Sequence, residues 1–272
     1  MTTAIALTIG GSDSGGGAGI QADLKTFTAL QVHGCSAISC VTAQNTTGVS
    51  RVDALPPQAL SAQIAAVLSD LPVNALKTGM LLNAGLIEAT AEALTPLTIP
   101  RLIDPVMVSR AGAVLLEPSA INAYRLLLPL AELLTPNLQE AQLLSGVAIN
   151  DVSDAEPAVL QAAERLLALG PAAVLIKGGG RPELRGRDYL LQRDRPGQWL
   201  CHAAIATPHT HGSGCTLGAA VTAQRARGLP LPEALTAAKR YVEGALRGAL
   251  AIGQGQGPLC HWHAYTGPRS QP

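Results

Sequence analysis

The stretch THGSGCTLGAAV, residues 210–221, places Cys215 where a glycine-rich turn runs into a helical-looking segment. Gly212 and Gly214 let successive backbone N–H groups converge, and the following helix adds the positive end of its dipole, so Gly212, Ser213, Gly214 and Cys215 form an expected anion cradle. A cysteine at such a helix start is expected to have a lowered thiol pKa, with thiolate accessible near neutrality. It can serve as nucleophile, metal ligand, redox partner or proton carrier. Nucleophilic catalysis needs a base at the sulfur, and His209 and His211 are near in sequence, though nothing in the sequence turns either inward. The bland alternative is a buried, inert cysteine.

Other residues have types suited to chemistry. GGSDSGGGAG, residues 10–19, follows a strand-like run and opens a helix; it matches neither GxGxxG nor GxxxxGK[ST], which weakens dinucleotide-binding and P-loop readings. Asp23 shares the spacing of Ile20, Phe27 and Leu30, which puts a carboxylate on or beside an apolar stripe where it needs a partner. Ligand contact is the expectation, against a capping or surface role. Gln44 and Asn45 end a strand, and an amide presents a donor and an acceptor together, matching the edge of a heteroaromatic ring. Asp104 and Glu140 fall at or just after strand ends. Asn137 and Glu140 also have the spacing of a capping box, complete by itself, yet two carboxylates near a phosphate site suit Mg²⁺ held through water. CHWH, residues 260–263, could hold zinc, but no second ligand cluster accompanies it.

These residues must be positioned by regular elements. Short β-branched runs alternate with Ala/Leu segments of helical period, which predicts βα units around a mostly parallel sheet in one domain spanning 1–272. Polar or glycine-rich turns end the strands at residues 10–13, 44–45, 77–79, 104–105, 136–137 and 177–179, and such turns share one rim of an open α/β sheet. RDYLLQRDRPGQWLCHA reads as a hairpin turning at Arg195-Pro196-Gly197; two helices follow, then an irregular tail from 258 to 272. The 47% hydrophobic, 3% aromatic composition implies a core of Ala, Leu, Val and Ile. Nineteen basic residues balance nineteen acidic ones with no dense basic run, so a nucleic-acid or membrane surface gains no support and small molecules are the expected partners. No signal peptide or span is read at the start, and five cysteines outside any CxxC pattern suit reduced thiols in the cytoplasm.

Taken in order, LTIGGSDSGGGAGIQADLKTF, TAQNTTGV, KTGML, IDPVM, LLTPNLQEA, LIKGGG and THGSGCTLGAAV resemble the hydroxymethylpyrimidine/phosphomethylpyrimidine kinases of the ribokinase-like superfamily, from Thr8 to about Thr216. The ordered set is far more specific than any member alone. The resemblance implies a three-layer α/β/α fold without a separate lid, a homodimer, and ATP- and Mg²⁺-dependent phosphorylation of 4-amino-5-hydroxymethyl-2-methylpyrimidine and then of its monophosphate, in thiamine biosynthesis. It implies a pyrimidine pocket of Gly11, Asp23, Gln44, Met80 and Val106. Asn137, Glu140 and Lys177 are implied to serve ATP and Mg²⁺, with Asp104 beside Glu140 as metal carboxylates. Cys215 stands where most of the superfamily has an aspartate, which implies the base that takes the hydroxymethyl proton. Ser213 replaces the more usual Thr and keeps a hydroxyl; the segment from 180 to 191 is expected near the adenine. The rival readings are a pyridoxal kinase of the same superfamily, a non-catalytic ligand-binding module, and a zinc protein built on Cys260, His261 and His263.

Overall fold

A computed structural model describes residues 3–107, 116, 118–149 and 154–265. The elements in chain order are β1 Ile5–Asp13, α1 Gly19–Ala29, β2 His33–Asn45, β3 Gly48–Ala54, α2 Pro57–Asp70, β4 Ala75–Thr78, α3 Ala84–Leu94, β5 Arg101–Ile103, α4 Tyr124–Leu127, β6 Leu133–Leu134, α5 Leu138–Ser145, α6 Ala155–Ala168, β7 Ala173–Lys177, β8 Arg187–Gln192, β9 Gln198–Cys201, α7 Ser213–Ala226 and α8 Leu231–Arg247. Short 3₁₀ turns join several of them. Among the described residues the nine strands form one sheet in the order β3-β2-β1-β4-β5-β6-β7-β8-β9. The six strands from β2 to β7 run parallel, while β3, β8 and β9 add antiparallel edges.

Alternation along the strands sorts the two faces. Leu7, Ile9, Leu76, Ile103, Val174 and Ile176 face a core closed by α2 to α6. Ala6, Leu102, Leu133 and Leu175 face the opposite layer of α1, α7 and α8. This is the period-2 sorting that a pleated strand imposes, and it yields three layers. With so few aromatic residues, packing relies on close backbone approach. α7 carries the small residues Gly218, Ala219, Ala220 and Ala223 toward the sheet, and a Cβ on Gly218 would lie 3.2 Å from Lys77 Cε. α8 buries Ala234, Leu235, Ala238, Tyr241 and Ala245 along one face. Among the described residues no helix is long and apolar enough to cross a membrane.

The chain leaves β1 for β2 on one side, then returns to place β4 on the other, so the direction of strand order reverses at β1. Ligands of open α/β sheets collect at such a switch, beyond the carboxyl ends of the strands. β1 bends there: its register with β2 shifts between Gly10 and Ser12. The anticipated hairpin is β8–β9. The described part of the tail is packed rather than loose, with Leu259, Cys260 and His261 buried; residues 266–272 lie outside the described residues.

Candidate active site

The glycine loop is organised by a residue the sequence reading passed over. Asp13 accepts N–H bonds from Gly15 (2.8 Å), Gly17 (3.1 Å) and Ala18 (2.8 Å), and its Oδ2 lies 2.9 Å from His211 Nε2. Burial works to raise this carboxyl, but the His211 and backbone donors hold it below the ordinary aspartate value. Gly19 follows at φ +56°, and a Cβ there would lie 2.4 Å from Gly11 O, so only glycine lets α1 start against the end of β1.

Asp23 lies on the inner face of α1, as its spacing predicts, but its carboxylate is 1% exposed and turned onto other protein groups. Thr8 Oγ1 donates to Oδ2 at 2.6 Å and Lys77 Nζ at 2.8 Å; Oδ1 has no partner among the described residues. Lys77, on β4, is equally buried. Burial alone would lower its amine, yet Asp23 and, less strongly, Asp104 push it upward, and it stays an ammonium. A lysine in an otherwise apolar central strand is the sequence signal for this pair, because such a charge needs a partner.

The pocket residues fall on one rim. Gly11 lies near the end of β1 beneath Met80: a Cβ on Gly11 would lie 2.6 Å from Met80 Cε and 2.9 Å from Cys40 Sγ. Met80 is followed by a tight turn in which Asn83 N donates to Leu81 O at 2.7 Å across Leu82, whose φ is +64°. A leucine in the left-handed region is strained, and the strain fixes the path of the chain just past Met80. Gln44 ends β2, with Oε1 3.1 Å from Thr42 Oγ1 and Nε2 3.4 Å from His211 Nε2. Val106 follows β5, its N–H donating to Asp104 O at 2.9 Å.

Farther along the rim Lys177 Nζ pairs with Asp104 Oδ1 at 2.9 Å, and its backbone bridges Asn137. Burial works to lower the Lys177 amine, but Asp104 and Glu140 carry it upward. A Cβ on Gly214 would lie 3.4 Å from Lys177 Nζ, so this amine reaches the first turn of α7. Asn137 and Glu140 form the capping box in full: Asn137 Oδ1 accepts from Glu140 N at 2.9 Å, and Glu140 Oε2 from Asn137 N at 2.8 Å. Met107 N lies 3.3 Å from the remaining Oε1. With both Glu140 oxygens and one of Asp104 so engaged, the donor set fits a hydrated Mg²⁺ held through water rather than stripped of it.

Burial pushes Glu140 up to about 7, opposed by Lys177 and reinforced by Asp104. A carboxyl raised on folding stabilises the fold below its unfolded value and loses that contribution as pH rises through the folded one, a window from about 4.5 to 7. His261, buried and lowered to about 4, acts in the opposite sense between 4 and 6.5. Glu140→Gln should gain Tm relative to wild type between pH 5 and 8, followed by thermal denaturation without ligands; parallel profiles would contradict the assignment.

Cys215 does not match the expected low pKa. It lies in the first turn of α7, after Gly212 at φ +78°. Although the residue keeps some exposed surface, desolvation pushes the thiol up to about 11, more than Lys77 and the Gly19 donor pull it down; Asp23 and Asp104 add to the rise. The helix dipole is outweighed by burial beside two carboxylates. The resting group is a thiol. A Cβ on Gly212 would lie 1.8 Å from Gly17 O, so the two glycine loops interlock through backbone contact.

Cys260, His261 and His263 do not converge. His261 Nε2 lies 3.0 Å from Thr216 Oγ1, whereas His263 Nδ1 lies 3.1 Å from Cys260 O and its ring packs tilted against Tyr241. Among the described residues no group of three His, Cys, Asp or Glu is placed to hold a metal. His209 likewise is occupied, its Nδ1 3.1 Å from Gly257 N.

Residues 13–260 match the family model of phosphomethylpyrimidine kinase. A hydroxymethylpyrimidine/phosphomethylpyrimidine kinase of Synechococcus elongatus is 59% identical over 97% of this chain and 99% of its own. Among solved structures, the phosphomethylpyrimidine kinase of Clostridium difficile 630 superposes with TM-score 0.77 at 38% identity, covering 89% of this chain and 99% of that one. A Bacillus subtilis pyridoxal kinase, solved as an ADP complex, gives TM-score 0.87 at 36% identity over 97% and 99% of the two chains. The mostly parallel sheet between helical layers is the ribokinase-like fold of these neighbours, and with identity this high over nearly the whole length the chain belongs to the phosphomethylpyrimidine kinase family.

Proposed function

We propose that this chain transfers the γ-phosphoryl group of ATP to the hydroxymethyl oxygen of 4-amino-5-hydroxymethyl-2-methylpyrimidine and then phosphorylates the monophosphate, in thiamine biosynthesis. The observation that carries the reading is the rim. Its pocket side, Gly11, Gln44, Met80 and Val106, and its phosphate side, Asn137, Glu140 and Lys177, meet at the first turn of α7. The pyrimidine lies against Gly11 and Met80 with its polar edge toward Gln44, while Asp23 supports the floor beneath it through Lys77.

The hydroxymethyl oxygen forms the new P–O bond as the bond to the β-phosphate oxygen breaks and ADP leaves. Gly212 and Gly214 aim N–H groups at the transferred phosphoryl oxygens, with Lys177 as the adjacent cation, while the Ser213 N–H holds the loop to Thr210 O at 3.1 Å. Cys215 accepts the hydroxymethyl proton as the oxygen attacks; the thiolate form does this, and Lys77 supplies its counter-charge. When bound, Mg²⁺ held through water by Asp104 and Glu140 neutralises phosphate charge. Base strength matters less than placement, because phosphoryl transfer depends mainly on position and electrostatics. The reading includes a homodimer working in the cytoplasm, and sedimentation at assay concentration checks the assembly state.

The kinship to pyridoxal kinases supports a second substrate, since pyridoxine also carries a hydroxymethyl group on a heteroaromatic ring. The test is incubation with ATP, Mg²⁺ and either the pyrimidine or pyridoxal, with products resolved by chromatography. Pyrimidine mono- and diphosphate are expected; pyridoxal phosphate alone would overturn the assignment.

A further inference from the structure

His211 touches both halves of the site and belongs to neither set of expected ligands. Its Nε2 lies 2.9 Å from Asp13 Oδ2, within the carboxylate that gathers the Gly15, Gly17 and Ala18 N–H groups. The same nitrogen lies 3.4 Å from the Gln44 amide. One residue later the chain enters the anion cradle at Gly212, and the His211 N–H donates to Gly257 O at 3.2 Å. The ring is wedged: a Cβ on Gly17 would lie 2.4 Å from its Cδ2.

A single ring nitrogen cannot both donate to Asp13 and accept from Gln44. The carboxylate can only accept, carries charge and is the nearer group, so Nε2 is protonated and donates to it. The Gln44 amide then finds no acceptor in the ring and keeps hydrogen-bonding capacity for a ligand. The ring bounds one side of that amide while Thr42 bounds the other. Asp13 fixes the first glycine loop, His211 fixes the second to it, and Gln44 lies at their junction.

Resting on the kinase reading above, we propose that His211 is a positioning residue that clasps the anion cradle to the acceptor pocket, setting the distance between the hydroxymethyl oxygen and the γ-phosphoryl group. Its loss leaves both substrates bound but out of alignment, which separates it from a residue that only supports the fold. Near-attack placement is worth orders of magnitude in rate, so a loosened clasp should cost about 10–100-fold in kcat.

The test compares His211→Phe, which keeps a ring but no donor, with His211→Gln, which returns an N–H near the Nε2 position. With the pyrimidine and ATP·Mg²⁺ as substrates, ADP and phosphorylated pyrimidine are measured separately. His211→Phe should lose kcat by about 10–100-fold with the KM for ATP within about threefold, and should form more ADP than phosphorylated pyrimidine. His211→Gln should recover most of the turnover and a ratio near one. Gly17→Ala, which displaces the ring without altering it, should reproduce the uncoupling should the phenylalanine variant fold poorly. Normal kcat with equal ADP and product in His211→Phe or, where that variant does not fold, in Gly17→Ala would overturn the proposal. A wild-type chain that phosphorylates no pyrimidine overturns the kinase reading as well.

Discussion

Cys215→Ser is expected to reduce kcat for pyrimidine phosphorylation by about 10²–10⁴-fold, the range for loss of a positioned proton acceptor, with a much smaller change in KM. Serine fits the same first turn of α7, so the cradle survives and only the proton acceptor is exchanged. The pH dependence sharpens the expectation. Because burial raises the thiol to about 11, the thiolate fraction grows about tenfold per pH unit throughout the working range. Wild-type kcat/KM should climb with pH wherever chemistry limits it, and the climb should vanish in the serine variant. Iodoacetamide trapping of Cys215, followed by mass spectrometry, should show the same slope in the absence of ATP. A serine variant with near-normal turnover would remove Cys215 from the mechanism.

The second large effect concerns stability. Lys77→Met should cost about 3–5 kcal/mol, the usual consequence of stranding one member of a buried ion pair. Asp23 would keep the Thr8 hydroxyl but lose the Lys77 ammonium at a position where it is almost fully buried. The double change Asp23→Leu with Lys77→Met should recover most of that loss, since replacing both charges by apolar groups of similar volume is often neutral or better. Urea unfolding of the single and double variants measures this directly. The recovered fold should nevertheless remain slow in turnover, because the counter-charge beneath Cys215 is gone. A Lys77→Met protein as stable as wild type would show that the pair contributes nothing to the fold.

The strand-end turns were legible because β-branched runs and glycine punctuation are local, and the Asn137 and Glu140 cap because its spacing is a backbone property. The Arg195-Pro196-Gly197 hairpin was legible for the same reason. Asp23 was seen to need a partner, but Lys77 is 54 residues away and is brought in only by pairing of β1 with β4. The lowered thiol expected at Cys215 followed from the helix end alone; tertiary burial beside Asp23 and Asp104 reverses it. Leu82 carries no local signal for its left-handed turn, so packing around it overrides the residue's own preference.

The Asp13–His211 contact joins residues 198 positions apart, and the loop it seats also rests on Gly257. Closing so long a span costs chain entropy before any contact repays it, so this clasp forms late in folding. A nascent chain emerging from the ribosome can pair β1, β2 and β4 while lacking both the cradle and its support. The phosphoryl-transfer machinery is therefore completed only after the sheet, and a partly synthesised chain has a pocket for the acceptor with nothing yet assembled to act on it.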